Sequence, residues 1–130
     1  MGLRKLLIVA ASIIAPLAVK PVVAQEATGP VIRIAELEID PAQMAAYSAA
    51  VKEEMEESIR VEPGVLALYA VSIKGQPNHI RFFEMYADQA AYESHRESPH
   101  FKQYVETTKD MITSRKLFET DNFQLSAKQP

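Results

Sequence analysis

The chain has 130 residues, the length of a single domain. It contains no cysteine, which excludes disulfides, thiol catalysis and cysteine-ligated metals. Its formal net charge is −3, so nucleic acid and anionic membrane surfaces are not expected partners.

Residues 1–24 have the pattern of a secretory signal peptide. Arg4 and Lys5 form a short basic region, the run 6–19 carries no charge, and small residues precede a cleavage site after Ala24. Cleavage removes three of the 14 basic residues and none of the 17 acidic ones, which leaves a net charge near −6. We expect a periplasmic or secreted protein with no stable membrane association after cleavage; an uncleaved anchor is the alternative.

A strand and a helix are predicted after a loose leader at 25–30. Alternating residues predict the strand over 31–39. Asp40-Pro41 is typical of a helix start, and the helix is predicted to extend to about Ile59. Its buried stripe is predicted from helical spacing: Met44, Tyr47, Val51, Met55 and Ile59. The charged residues between them are predicted to be solvated: Lys52, Glu53, Glu54, Glu56 and Glu57.

Three more strands are predicted. The turn Glu62-Pro63-Gly64 leads into a strand over 65–73, and a hairpin connects it to a third strand over 79–86. The last strand is predicted over 117–125, with a tail at 127–130.

Two helical segments lie between the third and fourth strands. Asp88 is a good N-cap, and the first helix is predicted to break at Ser98-Pro99, because the residue before a proline disfavours the helical conformation. The second helix has a predicted buried stripe: Phe101, Tyr104, Val105, Thr108, Met111 and Ile112.

The predicted order βαββαβ over 31–126 indicates an α+β, ferredoxin-like fold with a four-stranded antiparallel sheet. Two helices cover only one face of such a sheet, yet the strands carry apolar residues on both faces. Burying the second face against another copy predicts a homodimer. The uncovered face is predicted to hold some of these residues: Ile32, Ile34, Phe82 and Tyr86.

The end of the third strand carries a candidate site. Glu84 and Tyr86 share one face with Phe82, and a carboxylate on an aromatic face has to be paired or open to a cavity. One interpretation is a structural hydrogen bond. The other is a polar group on the floor of an apolar small-molecule pocket, which Tyr69 and Phe123 would also line.

His95 is expected to lie in this pocket, because the nearby chain break opens space beside the sheet. Its unperturbed pKa of about 6.5 suits a base working near neutral pH. His95 and His100 are five residues apart across the break, which is not a reliable same-face spacing. A metal site formed by them with Glu84 is therefore not expected. His79, beside a hairpin turn, is predicted to be a surface residue.

Three motifs carry a family resemblance: the turn Glu62-Pro63-Gly64 leading to Tyr69, Glu84-x-Tyr86-x-Asp88-x-x-Ala91, and His95-x-x-Ser98-Pro99-His100-Phe101. From Val31 to about Ser126 the chain resembles the antibiotic biosynthesis monooxygenase (ABM)-like family of dimeric α/β barrels, and in particular its quinol monooxygenase type. The resemblance implies a homodimer with a pocket between sheet and helices in each subunit.

Members of that family include cofactor-free oxygenases of quinols and polycyclic phenols, haem-degrading enzymes, and proteins without an established activity. The haem-degrading branch uses an Asn, a Trp and a haem-ligating His, which we match here to Glu36, Tyr86 and Val105. Haem degradation is therefore not expected. The quinol-oxidising branch needs no cofactor, since a deprotonated quinol or phenol can pass an electron to O2 without metal or flavin.

Two functions from different classes are consistent with these residues. The first is an exported, cofactor-independent monooxygenase of a quinol-like or phenolic small molecule, with His95 as the base and Glu84 orienting it or the substrate. Its substrate-binding residues would be Tyr69, Tyr86, His100, Phe101 and Phe82. The second is a non-catalytic, small-molecule-binding or stress-related dimer that uses the same pocket.

Overall fold

A computed structural model of the protein describes residues 29–128. Its elements are β1 (Val31–Ile39), a short 3-10 turn (Pro41–Gln43), α1 (Met44–Val61), β2 (Val65–Ile73), β3 (Gln76–Tyr86), α2 (Gln89–Glu97), α3 (Pro99–Thr108) and β4 (Ile112–Glu119). The strands form one antiparallel sheet in the order β2-β3-β1-β4, which confirms the predicted α+β, ferredoxin-like fold. The predicted signal peptide, most of the leader and the last two residues lie outside the described residues. None of the described helices is long and apolar enough to cross a membrane.

The break between α2 and α3 falls at the predicted residues. Asp88 caps α2 by accepting a hydrogen bond from the backbone N–H of Ala91 at 2.8 Å. Ser98 caps α3 by accepting one from the N–H of Phe101 at 3.3 Å, and its own backbone is extended before Pro99. These bonds satisfy donors that a first helical turn leaves unpaired.

The hydrophobic core lies between the sheet and the helices. Its buried members come from β1, β3 and α1: Ala35, Leu37, Ile39, Tyr47, Ile80 and Phe82. The hydroxyls of Tyr47 and Tyr104 lie 2.8 Å apart, so each buried group finds a partner where α1 crosses α3. Phe82, which was predicted to bind substrate, is instead a member of this core and pairs with Ala35 across the β1–β3 ladder.

The predicted buried face of α1 is only partly right. Tyr47 is buried, but Ile59 is 52% exposed and Glu54, predicted to be solvated, is buried. The C-terminal half of α1 also packs against the α2–α3 segment, and the side that turns toward that segment presents Glu54 and Ser58. Val105 on α3 is likewise exposed rather than buried.

β4 begins and ends earlier than the sequence predicts. Met111 closes a turn onto Thr108 at 2.9 Å, and Ile112 already pairs with Ile39 of β1. The ladder stops at Glu119, and the side chains of the following residues bond to backbone carbonyls near the start of β1. Phe123 is consequently fully exposed and lines no cavity with Glu84.

The face of the sheet away from the helices carries a patch of apolar residues that is open to solvent. Its exposed residues include Ile34, Tyr69, Val71 and Phe118. Of the four residues from which this face was predicted to draw, Phe82 and Tyr86 do not belong to it, because strand residues alternate and both point to the helix side with Ala35.

Candidate functional site

Two histidines and two glutamates meet where the end of α1 approaches the α2–α3 break. This histidine–glutamate cluster consists of Glu54, Glu62, His95 and His100. Oε2 of Glu62 lies 2.9 Å from Nδ1 of His95 and 2.7 Å from Nε2 of His100. Nε2 of His95 lies 3.4 Å from Oε1 of Glu54. One carboxylate thus bridges both histidines, and each nitrogen of His95 faces a carboxylate.

The break at Ser98-Pro99 brings the two histidines together. In one continuous helix, residues five apart would point about 140° from each other. Here Ser98 closes α2 by donating from its Oγ and its N–H to the carbonyl of His95, and the chain then turns into α3. The His95 and His100 ring centroids lie 6.2 Å apart. The spacing of five residues was not a reliable indication that the two rings meet, and it is the break that brings them together.

A close approach of backbone and helix positions Glu62 against His95. Gly64 lies directly under α2, where a Cβ on this residue would be 2.5 Å from the Cβ of Ala91. The N–H of Ala87 also donates to the carbonyl of Gly64 at 2.8 Å. The turn that follows α1 is therefore held tightly to the start of α2.

Glu62 is the charged centre of the cluster. Burial disfavours its charge, but the hydrogen bonds from His95 and His100 outweigh burial and lower the pKa of Glu62. Because an ionised carboxylate only accepts hydrogen bonds, the facing nitrogens, Nδ1 of His95 and Nε2 of His100, carry the protons. The opposite nitrogen of each ring, Nε2 of His95 and Nδ1 of His100, then carries no proton in the neutral ring.

The side chain of Glu54 contacts polar groups on two sides. Oγ of Ser58 lies 2.7 Å from Oε1 of Glu54, the same oxygen that faces His95. Glu54 follows Tyr47 by seven residues and Ser58 follows Glu54 by four, so all three occupy one side of α1. That spacing is the signal in the sequence that would have placed Glu54 inside.

Glu84 makes a structural hydrogen bond. The hydroxyl of Tyr86 donates to Oε2 of Glu84 at 2.9 Å. Burial raises the pKa of Glu84 by more than this bond lowers it, whereas burial and the nearby Glu84 charge both raise the pKa of Tyr86. The Tyr86 ring lies 5.3 Å from that of His95 and completes the link from Glu84 to the cluster.

Glu84→Gln is expected to stabilise the protein at neutral pH but not in acid. A carboxyl whose pKa is raised on folding contributes stability below its unfolded pKa and loses it as the pH rises through the folded value. The wild type should therefore lose stability relative to the variant above about pH 4.3. At pH 7 we expect the Tm of the variant to be higher by roughly 3 °C. Gln still accepts the bond from Tyr86.

Thermal unfolding at several pH values measures this difference. The charges of His95 and Arg33 lower the pKa of Glu84, whereas burial and the charge of Glu54 raise it. The sign of the Tm difference between wild type and variant therefore shows which influence is larger. Glu53→Gln at an exposed position of α1 is the control. A Tm difference that does not change with pH would contradict a raised pKa.

The predicted site residues do not all lie together: one group surrounds His95, whereas Tyr69 and Phe82 lie elsewhere. His95 packs against Phe101, with ring centroids 4.9 Å apart, and against Tyr86 and His100. Tyr69 is 62% exposed on the open face of the sheet, beside Phe83. Tyr69 and Glu84 point to opposite sides of the sheet and do not line one cavity within a subunit. The remaining residue, Phe82, lies in the core.

A groove of about 1090 Å³ runs along the cluster, between α1 and the α2–α3 break. Glu62 and His100 line it, whereas His95 is only 3% exposed and lies behind them. Most of the other lining residues are charged: Lys52, Glu53, Glu56, Glu57, Arg60 and Glu97. A molecule in the groove meets His100 first, and Glu62 connects it to His95.

A second cavity, of about 460 Å³, lies between α1 and β2 and is more apolar. Its lining includes Met44, Val51, Met55 and Ile80. Neither His95 nor Glu84 belongs to it. The polar chemistry of the described residues is therefore concentrated in the groove.

Known proteins share this architecture. A family model described as "Antibiotic biosynthesis monooxygenase" matches residues 30–107. The crystal structure of a candidate antibiotic biosynthesis monooxygenase from Bacteroides thetaiotaomicron is 44% identical, with a TM-score of 0.74 over 78% of this chain and 97% of that one. A candidate monooxygenase from Lactobacillus acidophilus is 36% identical, with a TM-score of 0.68 over 69% of this chain and 43% of that one.

An uncharacterized protein of Synechocystis is also similar, with 25% identity over 95 residues. That match covers 71% of this chain and 64% of the relative, so the chain spans somewhat less than two thirds of the curated relative's length. The family match includes α1, α2 and α3, and with them all four residues of the histidine–glutamate cluster.

Proposed function

The chain belongs to the antibiotic biosynthesis monooxygenase family, and on this basis we propose that it is a cofactor-independent monooxygenase of a quinol-like or phenolic small molecule. The observation that carries the proposal is the bridged pair of histidines at the groove. A base within reach of a bound hydroxyl, backed by an ionised carboxylate, is what activation of a phenol requires.

His100 is the group that touches the substrate in this proposal. Its Nε2 donates to Glu62, so its other nitrogen accepts the proton of a phenolic hydroxyl bound in the groove. Glu62 then stabilises the imidazolium that forms. His95, the base expected from the sequence, acts from behind Glu62 and adjusts how strongly that carboxylate attracts the proton on His100.

The chemistry after deprotonation needs no other reductant. The phenolate gives one electron to O2, and the resulting radical pair combines to form a carbon–oxygen bond. The peroxide then loses water and leaves a quinone carbonyl. One oxygen atom of O2 enters the product and the other leaves as water, with all electrons supplied by the substrate.

Glu84 has a positioning role in this proposal. It holds the Tyr86 hydroxyl, and the Tyr86 ring packs against His95. Phe101 packs against His95 from another direction. These contacts fix the plane of a buried imidazole and hence the direction of its bonds to Glu62 and Glu54.

Oxygen uptake by the purified protein over a panel of quinols and naphthols tests this function. The expected result is one O2 consumed per substrate, one 18O atom incorporated from 18O2, and no hydrogen peroxide. Peroxide formation without incorporation would indicate plain autoxidation and contradict the proposal. Thermal stabilisation by a compound that is not oxidised would instead indicate the non-catalytic binding protein.

The protein is further proposed to act as a homodimer outside the cytoplasm. The open apolar face of the sheet supports the dimer, since monomers rarely leave such a surface exposed. The basic and apolar pattern at 1–24 supports export. Sequencing the N-terminus of protein from the cell envelope tests export: a chain that starts at Gln25 is expected, and one that retains Met1 would indicate an anchor.

A further inference from the structure

Three metal-binding groups converge at the inner end of the groove. One carboxylate oxygen of Glu54, one ring nitrogen of His95 and one of His100 lie within 4.8 Å of one another. Two imidazoles and a carboxylate, with room for a water molecule, form the ligand set of many zinc sites. We propose that the histidine–glutamate cluster binds a divalent transition-metal ion of the Zn²⁺ type, a property beyond the oxygenase function.

The distances are close to those that an ion needs. Ligands about 2.0 to 2.1 Å from a tetrahedral ion lie about 3.4 Å from each other. Nε2 of His95 and Oε1 of Glu54 are already 3.4 Å apart. His100 lines the groove, and the ligand atoms of the whole set lie within 4.8 Å of one another, so a small approach of this side chain completes the set.

The cluster also contains the supporting bonds that metal ligands need. Glu62 accepts the hydrogen bond from Nδ1 of His95 at 2.9 Å, which directs the lone pair of Nε2 toward Glu54. Such a carboxylate–histidine pair orients the ring and makes it a better ligand. The Ser58 hydroxyl holds the Glu54 oxygen in the same way at 2.7 Å.

Charge and access favour a cation. The cluster contains two carboxylates and two imidazoles, so it carries negative charge when both rings are neutral. The groove supplies a path from solvent and an open position for water. Imidazole ligands select Zn²⁺ and similar ions over Mg²⁺, which prefers an all-oxygen shell.

An ion held by His100 would compete with the role of this ring as the base in the proposed reaction. We therefore expect Zn²⁺ to inhibit any oxidation that depends on His100 and a chelator to restore it. Binding itself is measured without substrate, so the metal site is tested independently of the oxygenase activity.

Titration calorimetry of the purified, untagged protein with ZnCl2 tests the site. We expect one ion per chain and no comparable binding of MgCl2. His100→Ala and Glu54→Gln each remove a ligand and should abolish saturable binding over the same range. Glu62→Gln should weaken binding by about 10- to 100-fold, as losses of supporting partners do.

His79→Ala is the matched control, because this histidine lies near Glu38 and away from the cluster. It should bind as the wild type does, and circular dichroism should show that each variant is folded. The site is ruled out if the wild type shows no saturable Zn²⁺ binding, or if His100→Ala and Glu54→Gln bind as well as the wild type. Loss of binding in His79→Ala would place the metal elsewhere and also overturn the proposal.

Discussion

Replacing His100 by alanine is expected to lower kcat/KM for oxygen uptake by about 10²- to 10⁴-fold, the usual contribution of a positioned general base. His100 is the histidine that lines the groove, and its bond to Glu62 fixes the nitrogen that accepts the proton. Steady-state oxygen consumption with the best substrate of the panel provides the measurement. Because His100 is partly exposed, the variant should fold normally.

Two further variants separate catalysis from structure. His79→Ala removes a histidine outside the cluster and should leave the rate unchanged. Added imidazole should partly restore the oxygen-uptake rate of His100→Ala, since imidazole can enter the groove and accept the proton. His95→Gln keeps a donor for Glu62 and should lower the rate less than His100→Ala does, because His95 does not line the groove. Wild-type turnover by His100→Ala would show that the base lies elsewhere.

Because the proposed homodimer packs through the open face of the sheet, Tyr69→Asp is expected to convert it into a monomer. Tyr69 stands on the edge strand β2 with its side chain on the open sheet face, paired in register with Phe83 and 62% exposed within the subunit. A carboxylate buried there at a subunit contact would lose its hydration without gaining a partner. Light scattering should show about twice the subunit mass for the wild type and the single mass for the variant.

Val105→Asp is the matched control for this experiment. Val105 is also an exposed apolar residue, but it lies on α3, away from the open face. The Val105→Asp variant should therefore remain dimeric. A wild-type protein that is monomeric at micromolar concentration, or a Tyr69→Asp variant that stays dimeric, would contradict packing through this face.

The fold was predictable from local signals. Asp88 and Ser98 bond backbone N–H groups at the helix starts where their short polar side chains indicate, and Pro99 fixes the break between them. The predicted limits of β4 were wrong because its pairing is set by the length of β1, not by its own apolar residues. Strand register across a sheet is a long-range property that one segment does not contain.

The candidate site was only half predictable. His95 and His100 stand out in the sequence, but Glu54 and Glu62 look like ordinary members of an acidic helix and turn. Their role depends on how the end of α1 packs against the α2–α3 segment, which brings residues 33 and 38 positions apart within hydrogen-bond distance. The expected apolar pocket at Glu84 is absent among the described residues because Tyr86 fills that space and bonds the carboxylate.

The contact between Gly64 and Ala91 sets a limit on how this protein can diverge. Neither residue reaches the histidines, yet their separation fixes how far the Glu62 turn stands from α2. A methyl group at position 64 would have to be matched by a loss at position 91, so the two positions are expected to vary together among relatives. Enlarging either residue alone would move Glu62 away from His95 without changing any residue of the histidine–glutamate cluster.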